Sequence, residues 1–166
     1  MIQSAGEAEV LAVGIAMPGP YKRELGEMIF VTNLPGSEGV PIFTSLQEGF
    51  DIPVYIENDA NAGANAYLWY GGRKSELQNL AYIVAGQGTG CGIISGGTIL
   101  RGEMGLAGEI GHTSINFEGP LCECGNRGCL ETYCSSIVLE KNIRRRLDAG
   151  EPSSLSPNFT WDEVVQ

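Results

Sequence analysis

The chain has 166 residues, a length that argues for one domain with a real core rather than two independent ones. Hydrophobic residues at 43% and charged residues at 18% exclude a disordered chain. Ten Lys and Arg against 20 Asp and Glu leave a net charge of −10, which excludes direct nucleic-acid binding by this segment and attraction to an anionic membrane.

The apolar run at 10–17 is too short to span a bilayer, and residues 1–9 lack the basic and apolar regions of a secretion signal, so the expectation is a cytoplasmic chain with no membrane partner. Residues 9–17 read as a buried strand running into Pro18-Gly19-Pro20. A short strand at 27–31, an exposed Gly- and Pro-rich loop at 32–41 and a helix at 43–50 follow. Residues 52–57 are apolar and β-branched, and Asn58-Asp59 then opens an Ala-rich helix that reaches Tyr70 and closes at Gly71-Gly72.

A second buried strand is expected at 79–85, followed by the turn Gly86-Gln87-Gly88-Thr89-Gly90. Strands at 91–95 and 98–101 pair through Gly96-Gly97, a two-residue loop suited to a primed turn. Residues 130–147 carry a helical pattern with a break at Ser135-Ser136, 149–157 is a loop, and Thr160 with Glu163 makes a capping box.

Four of the five cysteines crowd between 122 and 134. Cys122, Cys124 and Cys129, on a turn that glycines fold back tightly, form with His112 a donor set suited to tetrahedral structural zinc. Cys91 and Cys134 fall outside that spacing and read as small buried hydrophobes. Asp59, at a strand-to-helix junction, is a candidate proton acceptor for a substrate hydroxyl or an ordinary helix cap. The turn at 86–92 offers backbone N–H groups and the Thr89 hydroxyl to an anion, or serves as a hairpin turn. Glu109 and Glu131, flanking the zinc ligands, are acceptors for sugar hydroxyls or solvated acids. Arg144-Arg145-Arg146 belongs to a solvated helix end, where cations meet the negative pole of the helix.

In this order, Glu57-Asn58-Asp59-Ala60-Asn61, Gly88-Thr89-Gly90-x-Gly92, Glu109-x-Gly111-His112 and Cys122-x-Cys124-Gly125-x-x-Gly128-Cys129-x-Glu131 resemble the ROK family of sugar kinases and sugar-responsive repressors. The segments 14–20 and 33–36 look like the family's sugar-site loops. The resemblance implies an α/β, actin-like (ribonuclease-H-like) fold with a cleft between two lobes. It implies Asp59 as general base, with Gly19, Asn33, Asn58, Glu109, His112 and Glu131 joining it on the sugar. It further implies Gly88, Thr89, Gly90 and Gly92 on the phosphates of Mg-ATP, and His112, Cys122, Cys124 and Cys129 on structural zinc.

No Asp-x-Gly-x-Thr strand precedes Val10 and the adenosine-binding segment is missing, so residues 1–166 resemble the central portion of a family member, with weak or no kinase activity alone. The resemblance supports a glucokinase-like hexose or N-acetylhexosamine kinase that forms a homodimer. Its alternative is the sugar-sensing domain of a repressor, whose DNA contacts come from a separate helix-turn-helix.

Overall fold

The computed structural model describes residues 9–22, 24–29, 36, 39–71 and 77–165. The chain is mixed α/β: β1 (Val13–Met17), β2 (Tyr21–Lys22), β3 (Glu27–Met28), α1 (Ile42–Gln47), β4 (Val54–Asn58), α2 (Asp59–Tyr70), β5 (Leu80–Ala85), β6 (Thr89–Ser95), β7 (Thr98–Ile99), α3 (Glu131–Cys134), α4 (Ser136–Asp148) and α5 (Trp161–Val164). Packing divides it into two compact units interleaved in sequence, Met1–Ile83 with Gly90–Glu109, and Val84–Thr89 with Ile110–Gln166. Each unit has its own buried residues. No helix among the described residues is long and apolar enough to cross a membrane.

In the first unit β1 runs parallel to β4, Val13 opposite Val54 through Met17 opposite Asn58. The α1 helix ends where the Gln47 side chain turns back: its amide donates to the Phe50 and Ile52 carbonyls, and its oxygen accepts from the Val54 amide. One side chain thus closes the helix and aims the chain into β4. Val54 and Ile56 point inward and are buried while Tyr55 is exposed, the alternation of a strand with one covered face. The predicted strand at 9–17 is shorter than expected and only half-buried, because among the described residues β4 is its one partner, in a two-stranded sheet. A hairpin of β2 and β3, Tyr21 opposite Met28, was not legible in the sequence; residues 30 and 31 of the predicted strand there lie outside the described residues.

The second sheet of this unit has the order β5-β6-β7. Gly96 and Gly97 both take positive φ, 58° and 76°, and the hairpin places Ile94 opposite Ile99. Ala64, Leu68 and Ile94 form the core, with Leu77, Leu80 and Ile99 packed against them. The expected burial of β5 is corrected: Ile83 is 62% exposed. β5 is an edge strand of the sheet, and α2 lies against its Leu80 and Tyr82 as well as against β6, so the alternate residue Ile83 falls on the face that α2 does not cover.

In the second unit the predicted helix breaks at Ser135, as the sequence indicates. Ser135 is extended (φ −67°, ψ 149°) and its hydroxyl accepts from the Val138 amide, so it caps α4. The basic run stays on the helix surface: Arg144 pairs with Glu140 at 2.8 Å and lies over the Phe159 ring at 4.6 Å, and Arg146 pairs with Glu151 at 2.6 Å. At Thr160 the amide donates to the Glu163 carboxylate at 2.6 Å, one half of the expected capping box.

Candidate functional site

The end of β4 presents consecutive polar side chains of the first unit. Asn58, the residue that leaves the strand, caps α2 by accepting from the Asn61 amide at 3.1 Å, and its amide group donates to the Gly19 carbonyl at 3.2 Å. The capping role considered for Asp59 is therefore filled by Asn58. Asp59 is the first helical residue, half-buried, with one carboxylate oxygen on the Ala60 amide at 2.8 Å. Among the described residues this is the carboxylate's one hydrogen bond, and its other oxygen accepts none. A carboxylate held by one oxygen and open at the other, at the N-terminus of a 12-residue helix, is a fixed acceptor for a hydroxyl proton.

Glu57, one residue earlier, is tied down. Its carboxylate accepts from Arg101 Nη2 at 2.5 Å and from the Asn58 amide at 3.2 Å. The bridge joins positions 44 apart in sequence, which is why no local pattern revealed Arg101.

Gly90 and Gly92 are strand residues of β6. A Cβ on Gly92 would collide with the Ala60 carbonyl and lie 2.8 Å from the Ala64 side chain, so the missing side chain there is what lets β6 meet α2. Gly90 has room, its added Cβ lying 3.6 Å from that of Ala60. Glu109 closes this unit, its amide donating to the Leu106 carbonyl. Asn33 lies outside the described residues.

In the second unit His112 ends a single 3₁₀ turn, and residues 114–129 fold into a knuckle. Bridges between Ser114 and Cys129 and between Leu121 and Arg127 set its width, and the Cys122 amide donates to the Asn126 carbonyl at 2.8 Å. Gly128, at φ 64°, passes so close to the Asn116 carbonyl that any Cβ would collide with it. The result gathers His112, Cys122, Cys124 and Cys129, with their ligand atoms all within 4.8 Å of one another. Cys122 Sγ lies 3.6 Å from His112 Nδ1, and Cys124 Sγ 3.7 Å from Cys129 Sγ. Metal bonds of about 2.3 Å to sulfur and 2.0–2.1 Å to nitrogen put tetrahedral ligand atoms roughly 3.5–3.8 Å apart, so the four donors fit such an ion.

Burial pushes Cys129 up to about 12, with the neighbouring Cys124 and Cys122 thiols acting in the same direction, and burial raises Cys122 as well. Packed thiols of this kind ionise when a cation is coordinated among them. Cys91, in the first unit, is raised by burial and is an inert core thiol.

The turn at 86–89 also belongs to the second unit. It is narrow, the Gly86 amide donating to the Gly88 carbonyl at 2.9 Å. The Thr89 amide, expected to face a phosphate, donates instead to the Glu131 carboxylate at 2.6 Å. Glu131 is buried, not the solvated acid that its composition allowed. Cys134 Sγ lies 3.4 Å from the Thr89 hydroxyl, a contact that its reading as a plain hydrophobe missed.

The ROK family profile matches residues 1–164. The chain belongs to the ROK family. A xylose repressor of Caldicellulosiruptor bescii is 40% identical over 155 residues, 93% of this chain and 38% of the repressor. A glucokinase of Thermotoga maritima is 36% identical over 141 residues, 85% of this chain and 44% of that enzyme. Among solved structures, a ROK family transcriptional regulator homologous to the E. coli MLC protein matches with a TM-score of 0.79 at 30% identity, covering 98% of this chain and 41% of that one. A ROK family glucokinase from Streptomyces griseus, in complex with glucose and AMPPNP, matches with a TM-score of 0.76 at 33% identity, covering 88% and 46%. The chain thus spans between about two fifths and one half of these relatives' length. Both ROK repressors and ROK kinases stand among its relatives, and family membership does not choose between them.

Proposed function

We propose that this chain is the central, sugar-binding portion of an actin-like ROK sugar kinase that phosphorylates a hydroxyl of a hexose or N-acetylhexosamine. The observation that carries the reading is Asp59, fixed by one oxygen on the Ala60 amide with the other unpaired among the described residues. As general base it accepts the proton of the attacking hydroxyl. Asn58 holds the junction by capping α2 and gripping the Gly19 carbonyl, so the base keeps its direction without help from substrate.

In the first unit the sugar ligands are Gly19, Asn58, Asp59 and Glu109, with Asn33 added from the sequence; in the second they are His112 and Glu131. Gly88, Thr89 and Gly90 are assigned to phosphate, while Gly92, the remaining glycine of that motif, packs β6 on α2. Mg-ATP, when bound, supplies the phosphoryl group and neutralises its charge. His112, Cys122, Cys124 and Cys129 would hold a structural zinc, which would fix the orientation of the His112 ring beside the sugar. The family resemblance supports a homodimer.

The decisive substitution is Asp59→Asn in the longest natural protein that carries this sequence. Sugar binding is expected to persist while phosphotransfer falls at least ~100-fold, the usual scale of a lost general base. Unchanged turnover removes Asp59 from that role.

A second reading is favoured by the 40% identity with a xylose repressor over 93% of the chain. In it the same residues sense a sugar, and DNA is read elsewhere. A protein that binds sugar saturably yet returns it unphosphorylated in the presence of Mg-ATP supports the sensor.

A further inference from the structure

The Gly-rich turn of the second unit already holds an anion of its own. The Glu131 carboxylate is 8% exposed and accepts from the Thr89 amide at 2.6 Å. The same oxygen would lie 3.1 Å from a Cβ built on Gly88, so it sits directly against the turn. The neighbouring residues reinforce the clasp: the Ser136 amide donates to the Gly86 carbonyl at 2.8 Å, and Cys134 Sγ approaches the Thr89 hydroxyl at 3.4 Å. Residues 131–136 thus hold the turn at three points, and they begin two positions after Cys129.

A carboxylate and a phosphate make the same demand on a backbone N–H, and they repel one another when both approach it. An amide committed to Glu131 is therefore unavailable to phosphate until the carboxylate moves. Hydroxyl groups donating to Glu131 offer it an alternative partner, which weakens its hold on Thr89.

We infer that Glu131 is a resident anion that closes the 86–89 turn, that a phosphate group binds there by displacing it, and that a sugar on Glu131 favours the displacement. The displacement stands on the contacts in the second unit alone; the coupling to sugar rests on the proposed function. Sugar then raises the affinity of the turn for phosphate, and phosphate raises the affinity for sugar by the same factor. In a kinase this device keeps the phosphate turn shut until an acceptor is bound. In a sensor it converts sugar binding into release of the segment that leads to α4.

The test is calorimetric titration of the chain with inorganic tripolyphosphate, in the wild type, Glu131→Ala and Glu131→Gln, with amide NMR at Gly88 and Thr89. Removing the resident carboxylate is expected to tighten tripolyphosphate binding about fivefold or more, the lower end of typical couplings. The largest shifts fall on Thr89 and Gly88. Glu131→Gln, which keeps the shape and loses the charge, gives an intermediate gain and decides the matter if the alanine variant does not fold. Equal or weaker binding by the folded variants, shifts confined to other residues, or no binding by any of the three proteins overturns the inference.

A second arm repeats the wild-type titration with saturating D-glucose or D-xylose. Tighter tripolyphosphate binding supports the coupling. A sugar that binds without changing it refutes the coupling and leaves the proposed function standing; failure of both sugars to bind counts against the proposed function, while the first arm still decides the displacement.

Discussion

Gly92 separates two explanations of the Gly-rich stretch, phosphate cradle and packing contact, and the variant Gly92→Ala distinguishes them. The added methyl would enter the Ala60 carbonyl and stand 2.8 Å from the Ala64 Cβ, below any ordinary contact. Ala60 and Ala64 are essentially inaccessible to solvent, and the helix backbone cannot yield as a flexible side chain would. The helix has to lift from β6, disturbing Leu68 and Ile94 in the core. Overpacking of this kind costs about 1–3 kcal/mol, so with 2 kcal/mol as a working value the melting temperature falls about 4–8 °C for a chain of this size. Gly90→Ala is the control: its methyl reaches 3.6 Å from the Ala60 Cβ, an ordinary contact, and the melting temperature stays within about 2 °C. Thermal unfolding followed by circular dichroism reads both. Equal melting of Gly92→Ala and the wild type, with loss of tripolyphosphate binding in the variant, would refute the packing argument and return Gly92 to the phosphate site.

Three further outcomes follow from the second unit. Metal analysis of the purified protein is expected to find about one zinc per chain, and full chelation lowers the melting temperature and weakens sugar binding, because Glu131 and His112 are placed by the knuckle; no change in either removes the metal from the account. Cobalt added to the stripped protein gives the intense visible bands of tetrahedral thiolate coordination, and Cys129→Ser diminishes them. Ser135→Ala removes the cap of α4 at a nearly buried position and costs about 1 kcal/mol in denaturant unfolding; a loss under about 0.3 kcal/mol contradicts the assigned cap.

What the sequence disclosed was local. The start of α2 at Asp59, the break at Ser135 and the hairpin through Gly96-Gly97 each depend on residues within a few positions, where capping and turn chemistry act. The His/Cys cluster was legible because three of its four side chains lie within 122–129 on one knuckle. Tertiary partnerships were not legible. The exposure of Ile83 depends on which face of β5 is covered by α2, and an apolar run reads alike at a sheet's centre and at its edge. Arg101 meets Glu57, and Glu131 meets Thr89, across separations of 44 and 42 residues with no periodicity to announce them. The second contact changes the meaning of the site, since it places a carboxylate where the motif alone promises an open anion seat.

The most direct measurement is a calorimetric titration of the folded protein with D-glucose and D-xylose, repeated on Asn58→Ala. The account predicts a saturable isotherm for at least one sugar, at least tenfold weakened when Asn58 no longer caps α2 and holds the Gly19 carbonyl. Absence of binding by either sugar, or binding untouched by Asn58→Ala, contradicts it.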